Sequence, residues 1–247
     1  MVVVKDPIHG NIKVSEVERR LMDTAEFQRL RGVKQLGLAY LVYPGAQHTR
    51  FEHALGVMHV TGRFCEALRM HESERQELRC AALLHDVGHL AFSHEGEAAF
   101  ADLLHQNHEQ VGRMKIQRGE IADILIGNGI SPNEVVELML GRGKGHIIAG
   151  DVGADRIDYL LRDAHYTGVA YGVIDAERII HTARLGGNGE LQLEWGGFGG
   201  CGIFAAGALF DVLNSIHAPR GAHSGLHDSE GNAARRGKRR TQRKART

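Results

Sequence analysis

A histidine and an aspartate stand side by side in an otherwise apolar stretch, Leu83-Leu84-His85-Asp86-Val87-Gly88-His89. An ionised aspartate among leucines is costly unless it is paired or holds a metal. On a helix the two side chains diverge by about 100°, so they can flank one ion at a helix end. His89, four residues after His85, returns to the same face, and Gly88 opens space between them. Taken alone, the dipeptide reads more readily as a capping aspartate beside a stacked histidine. Two other stretches add weight to the metal reading. In His48-Thr49-Arg50-Phe51-Glu52-His53, Arg50 places a cation suited to phosphate three residues before another potential ligand. In Asp155-Arg156-Ile157-Asp158-Tyr159-Leu160-Leu161-Arg162-Asp163, the positions Asp155, Tyr159 and Asp163 form one polar stripe at i, i+4 and i+8. Asp151 competes with Asp155 as a donor on this segment. Mixed imidazole and carboxylate donors suit Mn, Fe, Zn or Mg better than a thiophilic ion, and they leave positions open for water and a phosphate oxygen.

These groups need elements to hold them, and the periodicity supplies mainly helices. Val2–Val4 and Ile8–Val14, joined across Pro7 and Gly10, suggest a small N-terminal β-hairpin. Ser15 is placed to cap a helix running to Met22, and Asp23 or Thr24 to cap another over Phe27–Leu36. Helices are expected over Thr49–Met70, Glu74–His89, Glu95–Leu104, Glu109–Met114, Ile121–Ile126, Pro132–Leu140, Asp155–His165 and Ala176–Leu185. A short strand is expected at Glu190–Trp195. The fold class is therefore all-α, with strand only at the margins.

In chain order, the blocks Asp-Pro-Ile-His-Gly at 6–10, Phe-Gln-Arg-Leu-Arg at 27–31, Lys-Gln-Leu-Gly at 34–37 and His-Thr-Arg-Phe-Glu-His at 48–53 are followed by His-Asp-Val-Gly-His at 85–89, Phe-Ser-His at 92–94 and Asp-Arg-Ile-Asp-Tyr at 155–159. This series resembles the HD-domain phosphohydrolases, in particular their deoxynucleoside-triphosphate triphosphohydrolase branch, from about Asp6 to Arg184. The resemblance implies an HD-domain helical core and a divalent metal held by His53, His85, Asp86 and Asp155. It implies acid/base work by His94 with Glu97, and by His108, with His89 lining the same pocket. Arg50 and Arg156 are expected on phosphate oxygens, and Gln35, Tyr159 and Asp163 on the sugar and its 3′-hydroxyl. Asp23, Gln28 and Arg31 match positions where an activating nucleotide binds between subunits in that family. The implied reaction is hydrolysis of a dNTP (dGTP-like) to deoxynucleoside and triphosphate, by a homo-oligomer.

Composition is compatible with this expectation. With 247 residues, 43% hydrophobic and 6% aromatic, the chain can bury one substantial core. No apolar run approaches the ~20 residues of a membrane-spanning helix. Charge and proline come too early at the N-terminus for a signal peptide. Three cysteines without knuckle spacing read as reduced thiols, so a cytoplasmic location is expected. Seven of the sixteen histidines fall between His48 and His94. The net charge of zero conceals an asymmetry: nine of the 30 basic and two of the 30 acidic residues lie between Pro219 and Thr247. The body therefore carries a net negative charge and the tail a matching positive one.

An acidic body is not an obvious nucleic-acid binder, since phosphate contacts demand a basic face. The sequence places the core in residues 1–198 and an atypical basic tail in 199–247, without periodicity and expected to be disordered. That tail reads as an arm for RNA or DNA, or as a stretch whose reading frame has departed from the family's near residue 200, and the second is favoured. Two rival functions remain open at this level. One is HD chemistry on another nucleotide phosphoester. The other is a nucleic-acid-binding protein with an inactive HD centre.

Overall fold

The computed structural model describes residues 2–90, 107–172, 174–197 and 200–205. The chain divides into a unit spanning Met1–Phe210 and another spanning Asp211–Thr247. The second unit, with almost all of the basic tail, lies outside the described residues, as does the expected helix over Glu95–Leu104.

Strands β1 (Val2–Asp6) and β2 (Gly10–Val14) pair antiparallel, with Val2 opposite Val14 and Asp6 opposite Gly10. Helix α1 (Glu16–Asp23) begins at a capping box: Ser15 accepts from the Glu18 amide while Glu18 accepts from the Ser15 amide. Thr24 caps α2 (Ala25–Gln28), which tightens into a 3₁₀ turn over Arg29–Gly32. The helix expected over Phe27–Leu36 thus ends at Gly32. The chain straightens there because Lys34 bridges Thr49, the Arg50 amide donates to Val33 and the Gln35 amide donates to His48. Those bonds fasten the segment carrying Gln35 to the start of the next helix.

That helix, α3 (Arg50–Ala67), runs through the core and is buried along most of its length, including Arg50 and His53. Glu52 closes its first turn by accepting from the Thr49 amide at 2.9 Å. Helix α4 (Glu72–Leu84) packs along one flank of α3 and α9 (Ala154–Thr167) along another. Between them in sequence lie α5 (His108–Ile116), α6 (Gly119–Gly127), α7 (Pro132–Met139) and the short α8 (His146–Ala149). Phe27, Phe64, Leu83, Leu84 and Ile121 are among the fully buried side chains, each contributing about 1.5–3 kcal/mol through burial.

Helix α10 (Ala176–Thr182) is shorter than expected, because Ala183–Leu185 forms β3 against β4 (Leu191–Gly197). The third strand, β5 (Gly200–Ala205), pairs with β4 and lies beyond the residue-198 boundary read from the sequence. Among the described residues the architecture is an α-helical core with two small antiparallel sheets.

Candidate metal centre

Helix α4 stops at Leu84, short of the expected His89, and the chain continues in tight turns: Val87 N–H donates to Leu84 and His89 N–H to Asp86. His85 and Asp86 therefore occupy a helix end. Arg29 clamps this turn by donating to the carbonyls of Val87 and His89. No chemistry was assigned to Arg29 from the sequence, although it lies in the 27–31 block. Gly88 has a packing reason: a Cβ there would stand 1.9 Å from the His108 carbonyl oxygen and 2.5 Å from the Gly112 nitrogen. Its bare backbone lets the start of α5 approach, and the His108 ring stacks on His89 with centroids 4.1 Å apart.

Three helical regions meet at this turn. From α3, His53 directs Nε2 to within 3.0 Å of Asp155 Oδ1 and 3.8 Å of Asp86 Oδ2. His85 Nε2 lies 3.4 Å from Asp86 Oδ1 and 3.8 Å from Asp155 Oδ1. One ligand atom from each of His53, His85 and Asp86 falls within 4.8 Å of the others. That spread suits donors about 2.0–2.3 Å from a shared ion.

The donors also fit a metal chemically. His85 Nδ1 donates to the Ala82 carbonyl at 2.8 Å, while its Nε2 is buried with no hydrogen-bond partner among the described residues. A buried imidazole lone pair left in this way is poised for coordination. Burial disfavours charge on Asp86, but His85, Arg50, His89 and His53 around it hold its carboxyl well below the usual range. Burial likewise opposes charge on His53, but hydrogen bonds to Asp155 and Asp158 outweigh it and raise the pKa to about 10. A metal held at Nε2 would take the place of that proton.

Beside these groups is a cavity of about 250 Å³. Among the described residues its walls include Gln35, Arg50, His85, Asp86, His89, His108, Asp155 and Tyr159. Gln35 Oε1 is buried there without a partner. The structure thus brings together most of the positions singled out in the sequence. Arg50 is engaged with Asp86 at 2.6 Å, so it braces a potential ligand as well as lining the cavity. Asp155 keeps 38% of its side chain accessible, whereas Asp151 is exposed and 3.8 Å from Arg156. Asp163 is not among the cavity-lining residues. It is buried against His48 Nε2 at 2.8 Å, and His48 stacks on Tyr166. Arg156 is also absent from that lining, although it bonds Tyr159. His94 and Glu97 lie outside the described residues.

Of the positions expected to bind an activator, Asp23 pairs with Arg19 and Arg31 donates to Gln28, with the Arg31 guanidinium 3.5 Å above the Phe51 ring. The largest omission from the sequence reading is a buried network of Asp6, His9, Asp158 and Arg162 behind His53. Its visible signals were the Asp6–Gly10 block and the i, i+4 spacing of Asp158 and Arg162.

The HD-domain family model matches residues 50–177, a stretch that carries all four potential ligands. The chain belongs to the HD-domain family. An uncharacterized protein of Methanocaldococcus jannaschii is 43% identical over 183 residues, covering 74% of this HD-domain chain and 38% of its own length. The deoxynucleoside triphosphate triphosphohydrolase SAMHD1 of Homo sapiens is 34% identical over 227 residues, covering 75% of this chain and 36% of that protein. The solved structure of a phosphohydrolase from Bacteroides thetaiotaomicron superposes with a TM-score of 0.68 at 30% identity. The match covers 78% of this chain and 49% of that one. The HD-domain chain thus spans less than half the length of these relatives.

Proposed function

We propose that this chain is a metal-dependent phosphohydrolase that converts a dNTP and water to deoxynucleoside and triphosphate. The observation that carries the reading is the unpartnered, buried His85 Nε2, set beside His53, Asp86 and Asp155 at the edge of a polar cavity. The similarity to a dNTP triphosphohydrolase narrows the substrate class. A divalent ion held by these four side chains supplies Lewis-acid polarisation of a phosphate oxygen. In cleavage of the bond between the α-phosphorus and the 5′-oxygen, the water hydroxyl joins phosphorus and a proton reaches the 5′-oxygen. The stacked His89 and His108 are the described groups placed to deliver it. His94 oriented by Glu97 is assigned to the same task from the resemblance. Gln35 and Tyr159 line the cavity where a nucleoside sits and Arg50 offsets the polyanion there, while Arg156 is assigned to phosphate and Asp163 to the 3′-hydroxyl through the resemblance.

Exposed Leu38, Leu41, Val42 and Tyr43 support assembly into a homo-oligomer. The buried free thiols Cys65 and Cys80, both pushed to high pKa by burial, fit a reducing cytoplasm. Among the described residues, no helix is long and apolar enough to cross a membrane.

Product analysis tests the proposal. Purified protein is incubated with each dNTP and Mn²⁺, Mg²⁺ or chelator. Metal-dependent release of triphosphate is expected. Release of orthophosphate or a nucleoside monophosphate instead assigns the centre to a different phosphoester.

A further inference from the structure

Behind His53, away from the cavity, lies a group of charges with no direct access to substrate. Asp158 is fully buried on α9, three residues after Asp155. Its Oδ2 accepts from His53 Nδ1 at 2.8 Å and Arg162 Nε at 2.9 Å. Its Oδ1 accepts from His9 Nε2 at 2.6 Å and Arg162 Nη2 at 2.9 Å. Arg162 extends its remaining arm to Asp6 Oδ2 at 2.9 Å. The other Asp6 oxygen accepts from the amides of Ile8 and His9, which shapes the turn that aims His9 inward.

The arrangement needs room beside α3, and Gly56 provides it. A Cβ at Gly56 would fall 1.8 Å from Asp158 Oδ1 and 2.6 Å from Arg162 Nη2. The helix that bears His53 thus leaves a gap one turn later for the carboxylate that holds His53.

An ionised carboxylate only accepts hydrogen bonds, so His53 must carry its proton on Nδ1 when it faces Asp158. Once a metal displaces the second proton, the Nε2 lone pair would be directed toward Asp86 and Asp155. Rotation of Asp158 would release this constraint. Arg162 fixes it from its own helix, and His9 fixes it from the hairpin.

We propose that the N-terminal turn Asp6–Gly10 completes the metal centre, with His9 a positioning residue that acts through Asp158 on His53. The inference rests on the metal reading of His53, His85, Asp86 and Asp155. In it the hairpin is a remote strut of the site, joining the two helices that supply His53 and Asp155.

The test is Mn²⁺ titration calorimetry on the full chain, with wild type, His9→Ala, His9→Gln and Ile12→Val compared. Ile12 is buried in the same hairpin and has no polar side-chain atom to bond the network, so its variant reports the effect of loosening the hairpin. His9→Ala is expected to weaken Mn²⁺ binding by about 10–100-fold, the usual range for a lost outer partner of a ligand. His9→Gln, which keeps a donor of similar reach, should recover most of that affinity, and Ile12→Val should bind like wild type.

A folded His9→Ala that binds Mn²⁺ as tightly as wild type overturns the role of His9 and leaves the metal site standing. Wild type that binds no Mn²⁺ overturns the metal reading and the inference with it. If His9→Ala does not fold, His9→Asn replaces it, since its shorter amide falls short of Asp158. Tighter binding by the glutamine variant than by the asparagine variant supports the proposal, and equal binding overturns it. As a spectroscopic check, the downfield imidazole N–H proton signal removed by His53→Gln should shift in His9→Ala and not in Ile12→Val.

Discussion

The two sides of His53 are built on opposite rules. Behind it, every polar atom of Asp158 is satisfied and the groups are closed from water. In front, Asp155 keeps 38% of its side chain accessible, and His85 Nε2 and Gln35 Oε1 have no hydrogen-bond partner among the described residues. The rear fixes geometry, and the front has hydrogen-bonding and coordinating capacity to spare. Unsatisfied buried groups are rare in folded proteins because each costs about 1–3 kcal/mol. Two of them, His85 Nε2 and Gln35 Oε1, line the same cavity, which is where a ligand would be received.

The contrast can be broken most severely from the front. His85→Ala or Asp86→Ala should reduce triphosphate release by at least about 10³-fold, because a lost Lewis acid removes several kcal/mol of barrier lowering at ~1.4 kcal/mol per factor of ten. Chelation of the wild type should do the same, with the folded state retained by circular dichroism. From the rear, Arg162→Met leaves Asp158 and Asp6 buried without their shared cation. It should cost about 3–5 kcal/mol of stability in denaturant unfolding. A variant as stable as wild type would remove the distinction between a structural rear and a receptive front.

Smaller changes sharpen it. Gln35→Ala should raise KM for a dNTP about tenfold while leaving Mn²⁺ affinity unchanged, which separates substrate capture from metal retention. The smallest effect concerns His59, whose ring sits 5.2 Å from that of His9. Burial lowers its pKa from 6.5 to about 4, and His9, Arg63 and Arg79 add to the shift. Between these values the unfolded chain binds a proton that the folded chain does not. Stability from the neutral ring is complete above about pH 6.5 and declines as pH falls toward 4. His59→Gln should flatten the wild-type loss of stability over that window, as measured by denaturant midpoints.

Much of the front was readable from local pattern. His85-Asp86 inside an apolar run, His53 after Arg50, and the stripe from Asp155 to Tyr159 each announce themselves within a few turns of chain. Ser15 as a cap was equally local, and the structure has it. The ends of elements were less legible, because tertiary pairing decides them. The 27–36 helix is cut at Gly32 by bonds to Val33, Lys34 and Gln35 from the 48–50 segment, and the last residues of the 176–185 helix are drawn into β3. The rear was least legible of all. Asp158 and Arg162 at i, i+4 look like an ordinary solvent-facing ion pair, and only their burial against Asp6 and His9 changes that meaning.

The bond between Asp6 and Arg162 joins positions 156 residues apart. A ribosome adding about 5–20 residues per second needs roughly 10–30 s to make the second partner after the first. Throughout that interval the hairpin waits with an unmatched carboxylate, and His53 has no Asp158 to orient it. On the proposed metal reading, the full set of donors and their rear support is therefore complete only late in synthesis, once α9 has been made.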